Sequence, residues 1–307
     1  MDIYHTFKEI PKEKPLVLAM GFFDGCHRGH QAVFQAACKL AEEKNGCPGI
    51  LTFWPHPMAV LAPHIHVPLL QSREEKMKSM EEAGMKAALL LYPDKEFLMK
   101  SPEAFMEDLR SIPPLVGLVT GENFTFGKGA AGRASMLLQH FTGTPVAVKV
   151  VSLQNEMEGA VSSTLIRKHI MEGEMEKASM LLGRNYTTAG EVVHGFQRGS
   201  GLLGFPTANM RLREDRVIPP DGVYATRAGV NGRVYPAVTN VGKNPTFGNR
   251  ERTIETFIFH FDESIYGRPF YLEWVSRLRG EVRFSSIGAL KQQIEKDIVR
   301  AESILGR

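Results

Sequence analysis

The spacing of apolar residues changes once along this chain, near Gly183, and that change limits what the chain can fold into. Before it, short continuous apolar runs at residues 16–20, 49–53, 86–92, 115–120 and 146–153 alternate with segments of helical period. In residues 31–44, Val33, Phe34, Ala37, Leu40 and Ala41 fall on one helical face. Residues 73–83 read as a charged surface helix, and Pro102 opens another helix with proline in its first turn. Buried runs separated by helices predict a parallel sheet covered on both faces.

After Gly183 the period is two. Residues 187–194, 223–230, 233–241, 253–261 and 270–279 read as strands, and Asn231-Gly232 is a two-residue hairpin signal. Residues 286–305 carry Ile287, Leu290, Ile294, Ile298 and Ile304 and read as a terminal helix. The expected architecture is α/β plus β: a Rossmann-like parallel sheet over residues 1–182, then a small antiparallel barrel with a terminal helix over 183–307. A length of 307 residues suits two domains.

Composition narrows the partners. A net charge of +3 with no block of like charge gives no nucleic-acid footprint. The first residues lack the apolar stretch of a signal peptide, and no apolar run approaches the roughly 18 residues of a membrane helix. Cys26, Cys38 and Cys47 match no common zinc spacing and read as reduced thiols. The expectation is a cytoplasmic protein, monomeric or weakly self-associating, acting on small molecules without membrane or nucleic acid.

Chemistry concentrates in two stretches. Gly21-Phe22-Phe23-Asp24-Gly25-Cys26-His27-Arg28-Gly29-His30 follows the first strand and opens the first helix. Glycines let a ligand approach the backbone, and a helix N-terminus offers free N–H groups to phosphate. His27 and His30 can face that ligand on one turn and stabilise charge in an in-line displacement. Taken alone, such a pair is more often ordinary surface or capping. In the second stretch, Gly195 to Gly204 is glycine-rich and precedes Pro206-Thr207-Ala208-Asn209. Thr207 and Asn209 share one side of an extended segment and offer oxygen ligands of the kind Mg²⁺ takes. On composition alone, a plain turn explains this stretch as well.

The first stretch resembles the HxGH signature of the nucleotidyltransferase superfamily. Pro55-His56-Pro57, the segment Gly121 to Gly127, and Ser162-Ser163-Thr164-Leu165-Ile166-Arg167 resemble its FAD-synthetase branch. The second stretch, Asn240 to Phe247, and Thr253-Ile254-Glu255-Thr256 resemble the riboflavin kinase fold. Over nearly its whole length the chain is similar to the bacterial bifunctional riboflavin kinase/FMN adenylyltransferase family. The resemblance implies two ATP- and Mg²⁺-dependent reactions: riboflavin to FMN, then FMN to FAD with release of pyrophosphate.

It further implies that Gly21, Phe23, Asp24, Gly25, His27, His30, Asn123, Ser163, Thr164 and Arg167 bind ATP for adenylyl transfer. For the kinase it implies Gly199, Gly204, Pro206, Thr207, Asn209, Asn244 and Arg279 at ATP or flavin, Thr207 and Asn209 on Mg²⁺, and Glu255 as general base. The residues alone leave Asp24 open between a structural role and orienting its loop. Lys128 and Arg133 are open between phosphate contacts and solvated loop charges. The chain departs from the family at Trp54, where relatives often carry a polar or acidic residue, and at Phe257, where many carry histidine. An indole cannot accept a hydrogen bond as a carboxylate does, but it can stack on a ring. Trp54 therefore keeps a second reading in view, a riboflavin kinase with an idle adenylyltransferase half. A flavin-binding regulator is the third.

Overall fold

The computed structural model describes residues 1–152, 155–156, 159–193, 205–212, 216–243 and 252–306. It divides into two compact units, Met1–Ser163 and Thr164–Arg307.

In the first unit, β1 (Asp2–Tyr4), β2 (Leu16–Met20), β3 (Cys47–Phe53), β4 (Ala87–Leu91), β5 (Leu115–Gly121) and β8 (Ala147–Val151) form one parallel sheet in the order β1-β4-β3-β2-β5-β8. Short antiparallel pairs β6 (Thr125–Phe126) with β7 (Gly132–Arg133), and β9 (Asn155–Glu156) with β10 (Gly159–Ala160), lie outside it. β1 escaped the sequence reading because three residues carry too little pattern to show a period.

Period two explains the layering. Leu16, Leu18 and Met20 of β2, with Leu51, Leu89 and Leu118, pack with Phe105 and Leu109 of α5 (Pro102–Arg110) and Leu137 of α6 (Ala134–His140). The intervening Val17 and Ala19, with Ile50, Leu90 and Val119, pack with Val33, Phe34 and Ala37 of α1 (Arg28–Glu43). Met77 and Met80 of α3 (Arg73–Glu82) join that second core. The short helices α2 (Pro57–Leu61) and α4 (Lys95–Leu98) follow β3 and β4.

α3 begins at a full capping box, in which Ser72 Oγ accepts from Glu75 N and Glu75 Oε2 accepts from Ser72 N. The box fixes where the helix starts, and the packing of Met77 and Met80 corrects its reading as a surface helix. Lys76, Met77 and Met80 are all turned inward and buried.

The second unit opens with α7 (Ser163–Glu172), whose first residue closes the first unit, and α8 (Met175–Leu182). The barrel strands are β11 (Tyr186–Val193), β12 (Ala208–Leu212), β13 (Gly222–Val230), β14 (Arg233–Lys243), β15 (Arg252–Ile258) and β16 (Pro269–Arg279). They close in the order β11-β12-β15-β14-β13-β16, every neighbouring pair antiparallel. β12 was absent from the strand expectations because Met210 is its one fully buried side chain. Trp274, Tyr186 and Tyr224 are buried in this unit, with Trp274 Nε1 donating to Thr188 Oγ1 at 3.0 Å. Buried hydroxyls of Thr226, Thr239 and Thr256 form a chain across β13, β14 and β15 at 2.8 and 2.9 Å.

The terminal helix α9 (Ile287–Leu305) packs Ala301 and Leu305 against Val223, Ala225 and Val238. Arg279 anchors it: Nε donates to both Asp297 oxygens at 3.1 and 2.9 Å, and the ion pair closes at 2.8 Å. Asp297 is buried and also accepts from Gln293 Nε2 at 2.9 Å. Removing one partner of such a pair strands a buried charge. Asp297→Ala should therefore lower the stability of this unit by about 3 to 5 kcal/mol. The chain has two tryptophans, Trp54 and Trp274, so urea unfolding of a Trp54→Phe background followed by fluorescence reports the barrel alone.

Candidate active sites

The first site grows from the end of β2. β2 lies between β3 and β5, and the chain leaves it in one direction through α1 and returns on the other side at β5. That reversal is the switch point where open parallel sheets bind ligands. The segment from Gly21 to His27 occupies it, with left-handed backbone at Phe23 (φ 58°), Gly25 (φ 86°) and Cys26 (φ 41°). For a side chain as large as phenylalanine this conformation costs of order 1–3 kcal/mol, so the surroundings must hold it.

They do so from four directions. Gly21 N donates to Leu51 O at 3.2 Å, and the buried Thr52 hydroxyl donates to Phe22 O at 3.0 Å. Both carboxylate oxygens of Asp24 accept from Leu70 N, at 3.0 and 3.1 Å. Ser163 Oγ donates to Asp24 O at 2.8 Å, and Gln31 Nε2 to Cys26 O at 3.1 Å. Asp24 thus ties the loop to the Leu70 backbone. Ser163, expected from the resemblance to bind ATP, is 139 residues away in sequence and hydrogen-bonds the backbone of this loop.

His27 caps α1, its Nδ1 accepting from His30 N at 3.4 Å, which puts the ring proton on Nε2 as a donor. The two imidazoles stack with centroids 3.5 Å apart. Gly29 makes the stacking possible, since a Cβ there would meet the His27 ring at 3.3 Å. Phe23 packs edge-on against His30, and a Cβ at Gly21 would strike the Phe23 ring at 2.8 Å. His30 Nδ1 is buried and has no hydrogen-bond partner among the described residues. Burial, then the charges of His27 and Lys76, push the His30 imidazole well below its ordinary 6.5.

Asn123 is exposed just past the carboxyl end of β5, the strand beside β2. Pro55-His56-Pro57 follows β3; His56 caps α2, its Nδ1 accepting from Met58 N at 3.1 Å, and its ring meets Phe22 edge-on at 4.4 Å. Thr164 and Arg167 lie in the first turns of α7, in the second compact unit. Arg133 turns onto its own hairpin, donating to Ala130 O and to Gly132 O.

Sequence reasoning missed Lys76. Its side chain is 1% exposed, Nζ donates to Phe53 O at 3.3 Å, and Nζ sits 3.9 Å from the Phe22 ring centroid and 5.9 Å from that of Trp54. Burial pulls its pKa down to about 8. The available signal was Met80 one turn after it, which marks the same helical face.

The second site lies on β12, β15 and β14. Register sets Glu255 opposite Asn209 on one side and Asn240 on the other. Along β15, Ile254, Thr256 and Ile258 are buried while Thr253, Glu255 and Phe257 alternate with them, so Glu255 faces away from the threonine chain. Burial raises the Glu255 carboxyl above its ordinary 4.5, opposed by a hydrogen bond from Thr253. Thr207 precedes β12 and is two residues from Asn209. Pro206 is exposed beside it, and Phe205 packs edge-on against Phe257 at 5.2 Å. Arg279 is held by Asp297, as described above. Gly199, Gly204 and Asn244 lie outside the described residues.

A histidine pair at the switch point of a parallel sheet defines a nucleotidyltransferase-like unit. A closed barrel with Thr207 and Asn209 beside a half-buried carboxylate defines a riboflavin-kinase-like one. A family model described as FAD synthetase matches residues 9–165, and one described as riboflavin kinase matches residues 182–305. The chain belongs to the bifunctional riboflavin kinase/FMN adenylyltransferase family. The enzyme of that name from Bacillus subtilis (strain 168) is 36% identical over 303 residues, which is 96% of this chain and 93% of the relative. That from Listeria monocytogenes is 38% identical over 283 residues, 92% of this chain and 90% of the relative. A crystal structure of a macrolide-efflux protein from Streptococcus pneumoniae superposes with a TM-score of 0.90 at 30% identity, covering 98% of each chain. Among the described residues, no helix is long and apolar enough to cross a membrane.

The depressed His30 pKa has a stability consequence. The neutral ring is favoured in the folded state, so its contribution is present above the unfolded value of 6.5 and is lost as pH falls. Below about pH 6.5 the slope from this group is at most about 1.4 kcal/mol per pH unit. NMR titration of the His30 ring should give a midpoint clearly under 6.5, and a midpoint at or above that value contradicts the structure.

Proposed function

We propose that adenylyl transfer runs in residues 1–182 on the His27–His30 loop, and riboflavin phosphorylation in residues 183–307 beside Glu255. The chain is a bifunctional riboflavin kinase and FMN adenylyltransferase. One observation carries the assignment: His27 and His30 lie in the first compact unit and Glu255 in the second.

In adenylyl transfer a phosphate oxygen of FMN displaces pyrophosphate from the α-phosphorus of ATP. The chain need supply no nucleophile, only position and charge. The His27 Nε2–H and the unpartnered His30 Nδ1, taken as its N–H tautomer, suit phosphoryl oxygens. Gly21, Phe23, Asp24 and Gly25 shape the cradle. Asn123 and Ser163 of the same unit add nucleotide contacts in this reading; the family resemblance also gives that role to Thr164 and to Arg167, whose fixed fork of donors suits phosphate.

In the kinase reaction the terminal hydroxyl of the ribityl chain attacks the γ-phosphorus and ADP leaves. Glu255 takes the hydroxyl proton. Burial raises its pKa, which strengthens it as a base toward that proton. Asn209, in register with Glu255, and Thr207 two residues before it are hard oxygen donors, which fits Mg²⁺. Bound there, the ion would neutralise charge on the phosphates. The family resemblance adds Pro206, Gly199, Gly204, Asn244 and Arg279 to the ATP or flavin contacts, and Arg279 also holds α9 through Asp297. Three free cysteines are consistent with a reducing, cytoplasmic setting and with small molecules as the partners.

Glu255→Gln should cut FMN formation by about 10²–10⁴ while FAD formation from supplied FMN persists. His30→Asn should do the reverse, by about 10²–10³. Product analysis by chromatography separates the two, and loss of both activities in either variant defeats the assignment. Chelation with EDTA should stop both reactions, and added Mg²⁺ should restore them.

A further inference from the structure

An ammonium loses its hydration when buried, and its three donors need acceptors. Lys76 is nearly inaccessible, yet among the described residues its one hydrogen-bond acceptor is Phe53 O, at the carboxyl end of β3. No carboxylate of the described residues is within ion-pair distance of Nζ. Asp24 directs both oxygens to Leu70 N. The remaining contacts are aromatic faces, Phe22 at 3.9 Å and Trp54 at 5.9 Å. Phe22 is part of the histidine loop, and the Thr52 hydroxyl holds its carbonyl. Lys76 and Thr52 therefore fix the side chain and the backbone of one loop residue from β3 and α3.

We propose that Lys76 is a positioning residue for adenylyl transfer: its buried ammonium, without an ion-pair partner among the described residues, braces the His27–His30 loop and supplies positive charge that attracts the polyphosphate of ATP. The inference rests on the assignment of adenylyl transfer to this loop. The charge sits behind the histidine loop, and no carboxylate of the described residues closes an ion pair with it, although Asp24 acts on it at longer range. It also acts on His30, whose neutral form it favours. The ionisable groups that influence it are Asp24 and Cys26 from the loop, which favour the ammonium, and His30 from α1; His56 packs on the same Phe22 ring.

The pH dependence follows in sign. Lys76 is charged below about 8 and neutral above. Capture of ATP for adenylyl transfer is full below that pH and falls above it. A bound polyphosphate favours the ammonium, so the fall in kcat lies at higher pH than the fall in kcat/KM. Riboflavin phosphorylation, measured on the same full chain with the same ATP, lacks this limb and serves as the internal control.

The experiment measures FAD formation from FMN and ATP, and FMN formation from riboflavin and ATP, between about pH 6.5 and about pH 10. In the wild type, kcat/KM for ATP in FAD formation should fall with a midpoint near 8, and FMN formation should not. Lys76→Arg should retain FAD formation and lose the limb, because guanidinium stays charged. Lys76→Met should raise KM for ATP by about tenfold or more, with kcat less affected, and leave FMN formation unchanged. A limb unaltered in Lys76→Arg, no limb in the wild type, or wild-type kcat/KM in Lys76→Met overturns the inference. The wild-type profile decides without any variant having to fold. His30→Asn run in parallel separates the two layers: if it leaves FAD formation intact, the site assignment fails; if it abolishes it while Lys76→Met is silent, only the role of Lys76 fails.

Discussion

Everything chemical in the first unit depends on holding seven residues, Gly21 to His27, in a shape they would not keep alone. Three of them have left-handed backbone, two without the freedom of glycine. The hold is distributed. A backbone carbonyl of β3, a threonine hydroxyl from the same strand, the Leu70 amide, and Ser163 from far along the chain each fix one group of the loop. Because the anchors come from separate elements, the loop is formed only when the sheet, its helices and the Ser163 segment are all in place. Preorganisation at this site is a property of the whole unit.

The fold was legible in the sequence to the extent that burial imposed a period. Continuous apolar runs gave the inner parallel strands because both of their faces are covered; alternation gave the barrel because one face of each strand is. β1 and β12 lacked that signal, the first being three residues long and the second having one buried apolar side chain. Of the sites, the histidine loop and the Thr207, Asn209 and Glu255 set could be read from motifs. Register then supplied what no motif contains, namely that Asn209, Glu255 and Asn240 lie side by side. Lys76 was passed over because a lysine among glutamates looks like solvated surface, although Met77 and Met80 beside it on the helix mark the buried face. Arg279 shows the converse, a residue placed near the flavin by resemblance that the structure also commits to an ion pair with Asp297.

The two units solve the same problem, satisfying the backbone of a candidate site, in different ways. The first uses side-chain hydroxyls and a carboxylate to satisfy an irregular loop. The second lets the strand ladders satisfy the backbone and uses register to align Asn209, Glu255 and Asn240. A local error in the first should spread through several anchors. In the second, a single substitution leaves the neighbouring ladder intact.

The edges of the parallel sheet carry a last consequence. A row of unpaired amides at a sheet margin is a template on which another chain can add a strand. Here one margin is β1, only three residues long, and the other is β8, with Lys149 exposed at its centre. The barrel has no margin at all, since its strands close on themselves. Short length at one margin and a charge at the other leave the sheet little purchase for edge-to-edge growth.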